Sequence, residues 1–151
     1  MTASRTASSA FVMQERVRWA DVDLVGIMRF SAFTRLLELG EQELMRAAGL
    51  PFSLVFDRPE LLMPRRALAF EYFAPARIDD LLTLRTFVSR MGETSMTISQ
   101  EVLIAESVTS GTGTRVATAT MTVVCVSAAE FAKQPLPAIV RERLGGFVLR
   151  A

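Results

Sequence analysis

Two aspartates separated by one residue, Asp21 and Asp23 in the stretch Trp19 to Phe30 (WADVDLVGIMRF), stand just ahead of the one long helical pattern in this chain. A carboxylate near the amino-terminal end of a helix meets backbone N–H groups that lack intrahelical partners and the positive end of the helix dipole. There it can activate water or attack a carbonyl carbon. Taken alone, such a pair more often has the plainer role of forming a turn or capping the helix. The chain has no histidine, which removes the Ser-His and Cys-His arrangements of covalent acyl transfer and, with a single cysteine, any recognisable zinc set. A hydrolase built from this sequence must rely on a carboxylate.

The remaining chemistry-bearing residues are few. Cys125 lies inside the apolar run Met121 to Val126 and reads as a buried, inert thiol. Neither the phosphate-binding glycine patterns nor the Gly-x-Ser-x-Gly elbow occurs, and Lys133 is the only lysine. No cofactor and no metal are therefore expected. Arg65, Arg66 and Arg90 can meet anionic groups such as phosphates, or simply be solvated at strand ends.

The element that must position the acidic turn is a helix starting near Ser31. Phe33, Leu36, Leu37, Gly40, Leu44, Ala47 and Ala48 form one apolar stripe, with Arg35, Glu38, Gln42 and Arg46 on the far side. Ser31 suits the N-cap, and Gly49, Leu50 and Pro51 supply a C′ glycine, an apolar C″ residue and a stop. Before it, Phe11, Met13, Val17 and Trp19 alternate with polar or outward residues, a strand that delivers the turn. After it, Pro51 to Pro64 (PFSLVFDRPELLMP) is apolar but broken by prolines, so a loop with a short helical turn is expected. Its Leu54 and Phe56 either pack in the core or line an apolar ligand pocket.

Strand signals follow at Leu68 to Phe73, Leu82 to Val88, Met96 to Ile104 and Val116 to Val126, separated by Gly92-Glu93 and Ser110 to Gly113. The last three read as an antiparallel meander, and Pro135 to Leu144 as a loop and a short helix with Pro137 near its start. The expected architecture is α+β, one long helix packed on a curved antiparallel sheet of about five strands. The domain is expected to span 11–144, flanked by a loose segment at 1–10 and a tail at 145–151. A chain of 151 residues with 50% hydrophobic residues can bury a core without disulfides, and a net charge of +1 argues against a large nucleic-acid footprint. No window reaches the roughly 18 apolar residues of a membrane span, and the first ten residues lack the apolar core of a signal peptide. The cytoplasm is the expected compartment.

Between Val17 and Leu50 the sequence resembles the 4-hydroxybenzoyl-CoA thioesterases and the Tol-Pal-associated acyl-CoA thioesterases of the hotdog fold. The residues that carry the resemblance are Asp21, Asp23, Gly26, Ile27, Met28, Phe30 and Glu38. The segment Met63 to Asp80, with EYFAPAR and its following acidic pair, and the turn Gly92 to Ser95 extend it over nearly the whole domain. The resemblance implies that Asp23 is the catalytic carboxylate, as nucleophile or as general base on water. It implies that the backbone N–H of Phe30 polarises the thioester carbonyl, an arrangement that the free donors and dipole of a helix N-terminus support. It further implies that Gly26 allows close backbone approach and that Ile27 lies in the substrate site, with Leu54, Phe56, Arg65, Arg66 and Arg90 as further candidate contacts. An acyl-CoA is the expected substrate. Acyl-carrier-protein thioesters are the alternative, since a related branch acts on carrier-bound chains, although that branch lacks the acidic residue retained here as Asp23. A non-catalytic acyl-thioester binder, with Asp23 as a mere cap, is the reading from a different class. Unpaired strand edges and the resemblance both lead to a homodimer, or a dimer of dimers, with the active site at the interface.

Overall fold

The computed structural model describes residues 8–150. In chain order the elements are β1 (Phe11–Arg16), α1 (Phe33–Ala47), α2 (Phe52–Val55), β2 (Arg65–Tyr72), β3 (Leu81–Met91), β4 (Ser95–Glu106), β5 (Arg115–Val124) and α3 (Ala138–Leu144). The strands form one antiparallel sheet in the order β1-β3-β4-β5-β2. The β3-β4-β5 meander therefore fills the centre, and the two strands flanking α1 in sequence occupy the two edges. This is the helix wrapped by a five-stranded curved sheet that the resemblance implies.

Helix α1 covers the sheet with Phe33, Leu36, Leu37, Gly40, Leu44 and Met45, and Leu36 and Leu44 are fully buried. Each such leucine stabilises the fold by about 1.5–3 kcal/mol relative to an exposed position. Three details depart from the sequence pattern. Ala47 is exposed, while Glu41 and Met45 take its expected place in the buried face. Ser31 is not an N-cap: the chain enters α1 through a 3-10 turn, Phe30–Ala32, so Ser31 sits inside that turn and makes no capping bond. Arg35 does not point to solvent alone but reaches the acidic turn described below. The helix end follows expectation. Gly49 adopts φ +77°, its N–H donates to Arg46 O at 3.0 Å, and the N–H of buried Leu50 donates to Met45 O at 2.8 Å, the paired bonds of a Schellman cap.

Helix and sheet approach each other closely at Gly40. A Cβ there would overlap Gln100 Nε2 and Thr86 Oγ1, well inside van der Waals distance of both. Both side chains are buried, and the Gln100 amide donates to Leu36 O at 2.9 Å and to Thr86 Oγ1 at 3.1 Å. The sheet thus bonds directly to the helix backbone at the one position without a side chain. This polar bridge separates two apolar clusters, one around Phe33 and Leu36 with Val17, Met28, Leu82 and Ile104, the other around Leu37, Leu44 and Met45 with Val88, Ile98, Val123 and Leu144.

The described residues nearest the two ends are tied to the rest of the fold. Within 145–151, Gly145–Phe147 form a 3-10 turn and the N–H of Leu149 donates to Val88 O at 2.9 Å. Ser9 donates its N–H to Gly146 O at 3.0 Å. Of the expected loose segment 1–10, residues 1–7 lie outside the described residues, as does residue 151. Among the described residues no helix is long and apolar enough to cross a membrane.

Helix propensity alone makes Gly40→Ala stabilising by about 1 kcal/mol. The contact with Gln100 and Thr86 reverses that sign, and we expect a net loss of about 1–3 kcal/mol, the usual cost of overpacking, read from the midpoint of urea unfolding. A gain in stability would show that the helix does not seat on the sheet as described.

Candidate active site

The segment between β1 and α1 folds into a miniature hairpin. The N–H of Gly26 donates to Asp23 O and that of Asp23 to Ile27 O, both at 3.0 Å, while Val22 and Met28 face each other as an isolated bridge. Gly26 has φ +77°, the left-handed conformation that closes such a turn at little cost only for glycine. A Cβ at Gly26 would meet nothing within 4 Å. Within one chain it is the positive φ that calls for glycine here. The return arm is clamped from the other side as well: Met28 N–H donates to Ala76 O at 2.8 Å and Ile78 N–H to Gly26 O at 3.2 Å. The stretch just after β2, through Ala76 O and the N–H of Ile78, is what holds the hairpin in place.

The two aspartates have separate tasks. Asp21 is buried; its carboxylate accepts the N–H of Arg18 at 2.8 Å and two bonds from Arg35, at 2.9 Å from Nε and 2.5 Å from Nη2. Arg35 also lies 3.5 Å from Glu15, which pairs with Arg18. A charged network thus joins β1, the hairpin and the first turn of α1. Burial pushes the Asp21 carboxyl upward, but the bonds and charge of Arg35, with the Arg18 N–H, outweigh it and hold the carboxyl below its ordinary value. Asp23 stands at the exposed tip. Its Oδ1 accepts the N–H of Val25 at 2.9 Å, which fixes the carboxylate against the turn, and Oδ2 has no protein partner among the described residues.

The hairpin leads directly into the 3-10 turn at Phe30. Arg29 N–H donates to Asp21 O at 2.8 Å, whereas the N–H of Phe30 has no acceptor among the described residues. This is an open donor at the start of the helical segment. Tyr72, at the end of β2, donates its hydroxyl to Phe30 O at 3.2 Å and packs edge-on against Phe33 at 5.1 Å. The hairpin and this turn are flanked by side chains that the single chain leaves largely uncovered, Trp19, Leu24, Val25 and Phe30, with half-exposed Tyr72 at the end of the edge strand and Phe73 just after it.

A cavity of about 480 Å³ lies elsewhere, under the Pro51 to Pro64 cover. It is walled by Glu41 and Met45 of α1, Phe52, Val55 and Phe56 of the cover, Met96, Val123 and Arg65. Of the two cover residues singled out from the sequence, Phe56 lines it and Leu54 does not. Glu41 was invisible to the sequence reading, although its place four residues after Leu37 and three before Leu44 puts it on the apolar stripe. It is 4% exposed, and both its oxygens accept bonds of 2.7 Å from the two terminal nitrogens of Arg65. Burial raises the Glu41 carboxyl above its ordinary value, Arg65 opposing.

The structure does not bring all the candidates together within one chain. Asp23, Gly26, Ile27 and Phe30 gather at the hairpin, while Phe56 and Arg65 meet at the cavity, roughly 17 Å further along α1 by its rise per residue. Arg66 is exposed on β2, and Arg90 is exposed near the far end of β3, opposite Thr97. Among the described residues no cluster of acidic or cysteine side chains suits a metal ion.

The fold and hairpin define a thioesterase-like domain of the hotdog type. Residues 17–144 match the family model of the thioesterase-like superfamily, and the chain belongs to that family. It is 30% identical over 127 residues to the acyl-CoA thioester hydrolase YbgC of Escherichia coli, covering 81% of this chain and 86% of that protein. It is 25% identical over 128 residues to the 1,4-dihydroxy-2-naphthoyl-CoA hydrolase of Nostoc punctiforme, covering 85% of this chain and 82% of that one. Among solved structures, the 4-hydroxybenzoyl CoA thioesterase of Pseudomonas sp. strain CBS-3 superposes with a TM-score of 0.78 at 22% identity, covering 90% of this chain and 99% of its own. That likeness bears on the fold.

The folded Asp21 carboxyl titrates below its unfolded value, so its contribution to stability is present above the ordinary aspartate range and is lost as pH falls through the folded value. Asp21→Asn should therefore destabilise the protein at neutral pH, near the lower end of the about 3–5 kcal/mol for breaking a buried pair, because Arg35 is a third exposed. The gap to the wild type should narrow below about pH 4. Thermal melts of both proteins across that range test the assignment; a gap independent of pH would contradict it.

Proposed function

We propose that this protein is a thioesterase that hydrolyses an acyl-CoA to the free acid and CoA, with Asp23 as its catalytic carboxylate. The observation that carries the reading is the hairpin itself. It presents a carboxylate with one unpartnered oxygen at its tip and continues into a helical start whose Phe30 N–H is unpartnered. The curated relatives that act on acyl-CoA thioesters support the choice of substrate class.

The chemistry follows from these two groups. As the thioester carbonyl is attacked, negative charge develops on its oxygen, and the Phe30 N–H with the helix dipole lowers the energy of that oxyanion. Asp23 supplies the attack in one of two ways: its carboxylate adds to the carbonyl carbon and expels the CoA thiolate, leaving an anhydride that water cleaves, or it takes a proton from a water that adds directly. Both routes consume one water and release an acid and a thiol. Exposed Arg66, on the open edge strand, is suited to the anionic phosphates of CoA.

A second copy of the chain completes the site in this reading. Strand β2 is an edge with its backbone groups open on one side, and its residues other than Phe70 are exposed. Its Tyr72 end touches the helix start at Phe30, and its Arg65 end touches the cavity at Glu41. Antiparallel pairing of β2 with its own copy about a two-fold axis lays one Tyr72 end beside the other Arg65 end. The hairpin of one protomer then adjoins the cavity of its partner, which relieves the separation found within a single chain. The uncovered Trp19, Phe30, Leu68 and Phe73 fit such an interface. Sedimentation should give a homodimer at micromolar concentration; a stable monomer that is fully active would remove the shared site.

The direct test is Asp23→Asn, which keeps size and the bond to Val25 but supplies no equivalent base or nucleophile. It should lower kcat on the preferred acyl-CoA by about 10² to 10⁴ with an unchanged unfolding transition. Near wild-type turnover would refute the assignment, as would a loss of activity matched by loss of cooperative unfolding.

A further inference from the structure

The first turn of a helix is the wrong end for a cation, because the macrodipole is positive there. Arg35 occupies that turn nevertheless, just after α1 begins at Phe33, with no acidic side chain in the same turn to offset it. Its guanidinium faces carboxylates outside the helix: Nε and Nη2 donate to Asp21 at 2.9 and 2.5 Å, and Nη1 lies 3.5 Å from Glu15 of β1. Each nitrogen is thus directed at the frame of the protein and not at a ligand. What the guanidinium grips is the base of the hairpin. Asp21 O accepts the Arg29 N–H at 2.8 Å, Val22 and Met28 face each other one step further on, and the Asp23 N–H donates to Ile27 O at 3.0 Å. A two-stranded ladder this short does not hold its own place. Among the described residues, the Arg35 fork is the hydrogen-bonded link between this ladder and α1.

We propose that Arg35 and Asp21 are positioning residues of the catalytic site, which set the Asp23 carboxylate at its working distance from the Phe30 N–H. The inference rests on the reading of Asp23 as the catalytic carboxylate and of that N–H as the oxyanion donor. The two groups ride on different parts: Asp23 on the outgoing arm of the hairpin, Phe30 at the start of the 3-10 turn that leads into α1. Asp21 meets both. It stands two residues before Asp23 on the same arm, and its main-chain oxygen takes the N–H of Arg29, which leaves the next N–H along the chain, that of Phe30, as the open donor. Its carboxylate then ties this whole corner to the helix through Arg35. A two-bond fork resists rotation as well as separation, which a single bond does not. Attack and oxyanion stabilisation require both groups in place at the same moment. A hairpin free to rock on the helix would therefore keep its chemical groups and lose rate.

Thiol release from straight-chain acyl-CoAs and benzoyl-CoA identifies the thioester that the wild type turns over fastest, and the variants are compared on it. Arg35→Lys keeps the charge but cannot form the fork. Asp21→Glu keeps both charges and lengthens the arm by one methylene, and it serves where Arg35→Lys does not fold cooperatively. Each should lower kcat, taken per folded protein, by about 10- to 100-fold, the effect of a small misplacement, with KM within about twofold of wild type. The decisive arm repeats the substitution in the Asp23→Asn background, where no carboxylate is left to position. There it should change the residual rate by less than about twofold, whereas loss of folded protein would scale both backgrounds alike. A kcat within about twofold of wild type in either folded variant, or an equal fractional loss with and without Asp23, overturns the inference and leaves the thioesterase reading intact. Near wild-type turnover by Asp23→Asn alone, or no turnover of any thioester by the wild type, overturns that reading and this inference with it.

Discussion

The structure depends on how closely α1 can approach the sheet. At Gly40 the absent side chain lets Gln100 bond to the helix backbone at Leu36 O, and Thr86 closes the contact. A helix held at that depth, and bonded there, cannot slide along the sheet without breaking a buried hydrogen bond. Its two halves are thereby assigned to different work. The half before Gly40 packs with Val17 and Met28 and so fixes the start of the helix against the hairpin; the half after it packs with Val88 and Leu144 and faces the cover over the cavity.

The edge strand β2 repeats this division. Tyr72 fastens one end to the helix start through Phe30 O, and Arg65 fastens the other to Glu41. Between them the strand makes ladder bonds on one side only, to β5. The backbone that joins the two functional regions is the same backbone that lacks a neighbour. Mobility or misplacement of this one strand would therefore disturb the hairpin and the cavity together, whereas changes in the central meander are absorbed by pairing on both sides.

The parts of this architecture that sequence displays are those governed by local rules. The α1 stripe, the glycine cap at Gly49 and the Val- and Thr-rich meander depend on neighbours within a few residues, and all are present. The turn at Asp23 is equally local, since its bonds to Val25 and Gly26 span two and three residues. What could not be read is non-local. Arg35 falls on the solvent side of a helical wheel because its partner Asp21 is fourteen positions away on a different element. Glu41 breaks the stripe only in company with Arg65, twenty-four positions on. Ser31 has the side chain of a cap, but the hairpin delivers the chain in a 3-10 turn that leaves no place for one. In the candidate site, the residue types and their order were legible, and the distance between hairpin and cavity was not, because it is set by the length of α1 and not by any motif.

Trp19 gives the molecule an optical property of its own. It is the only tryptophan in the chain, it lies in the 3-10 turn that ends at Asp21, and it is 85% exposed. Its indole emission therefore reports on a single site beside the hairpin, one that faces water in the single chain and is covered in the proposed homodimer. Anything that shields this position, whether another protein surface or a bound small molecule, shifts that emission toward shorter wavelength and reduces its quenching by soluble agents. The fold has placed an intrinsic fluorophore next to the residues whose environment matters most, so events at the hairpin can be followed in the unlabelled protein.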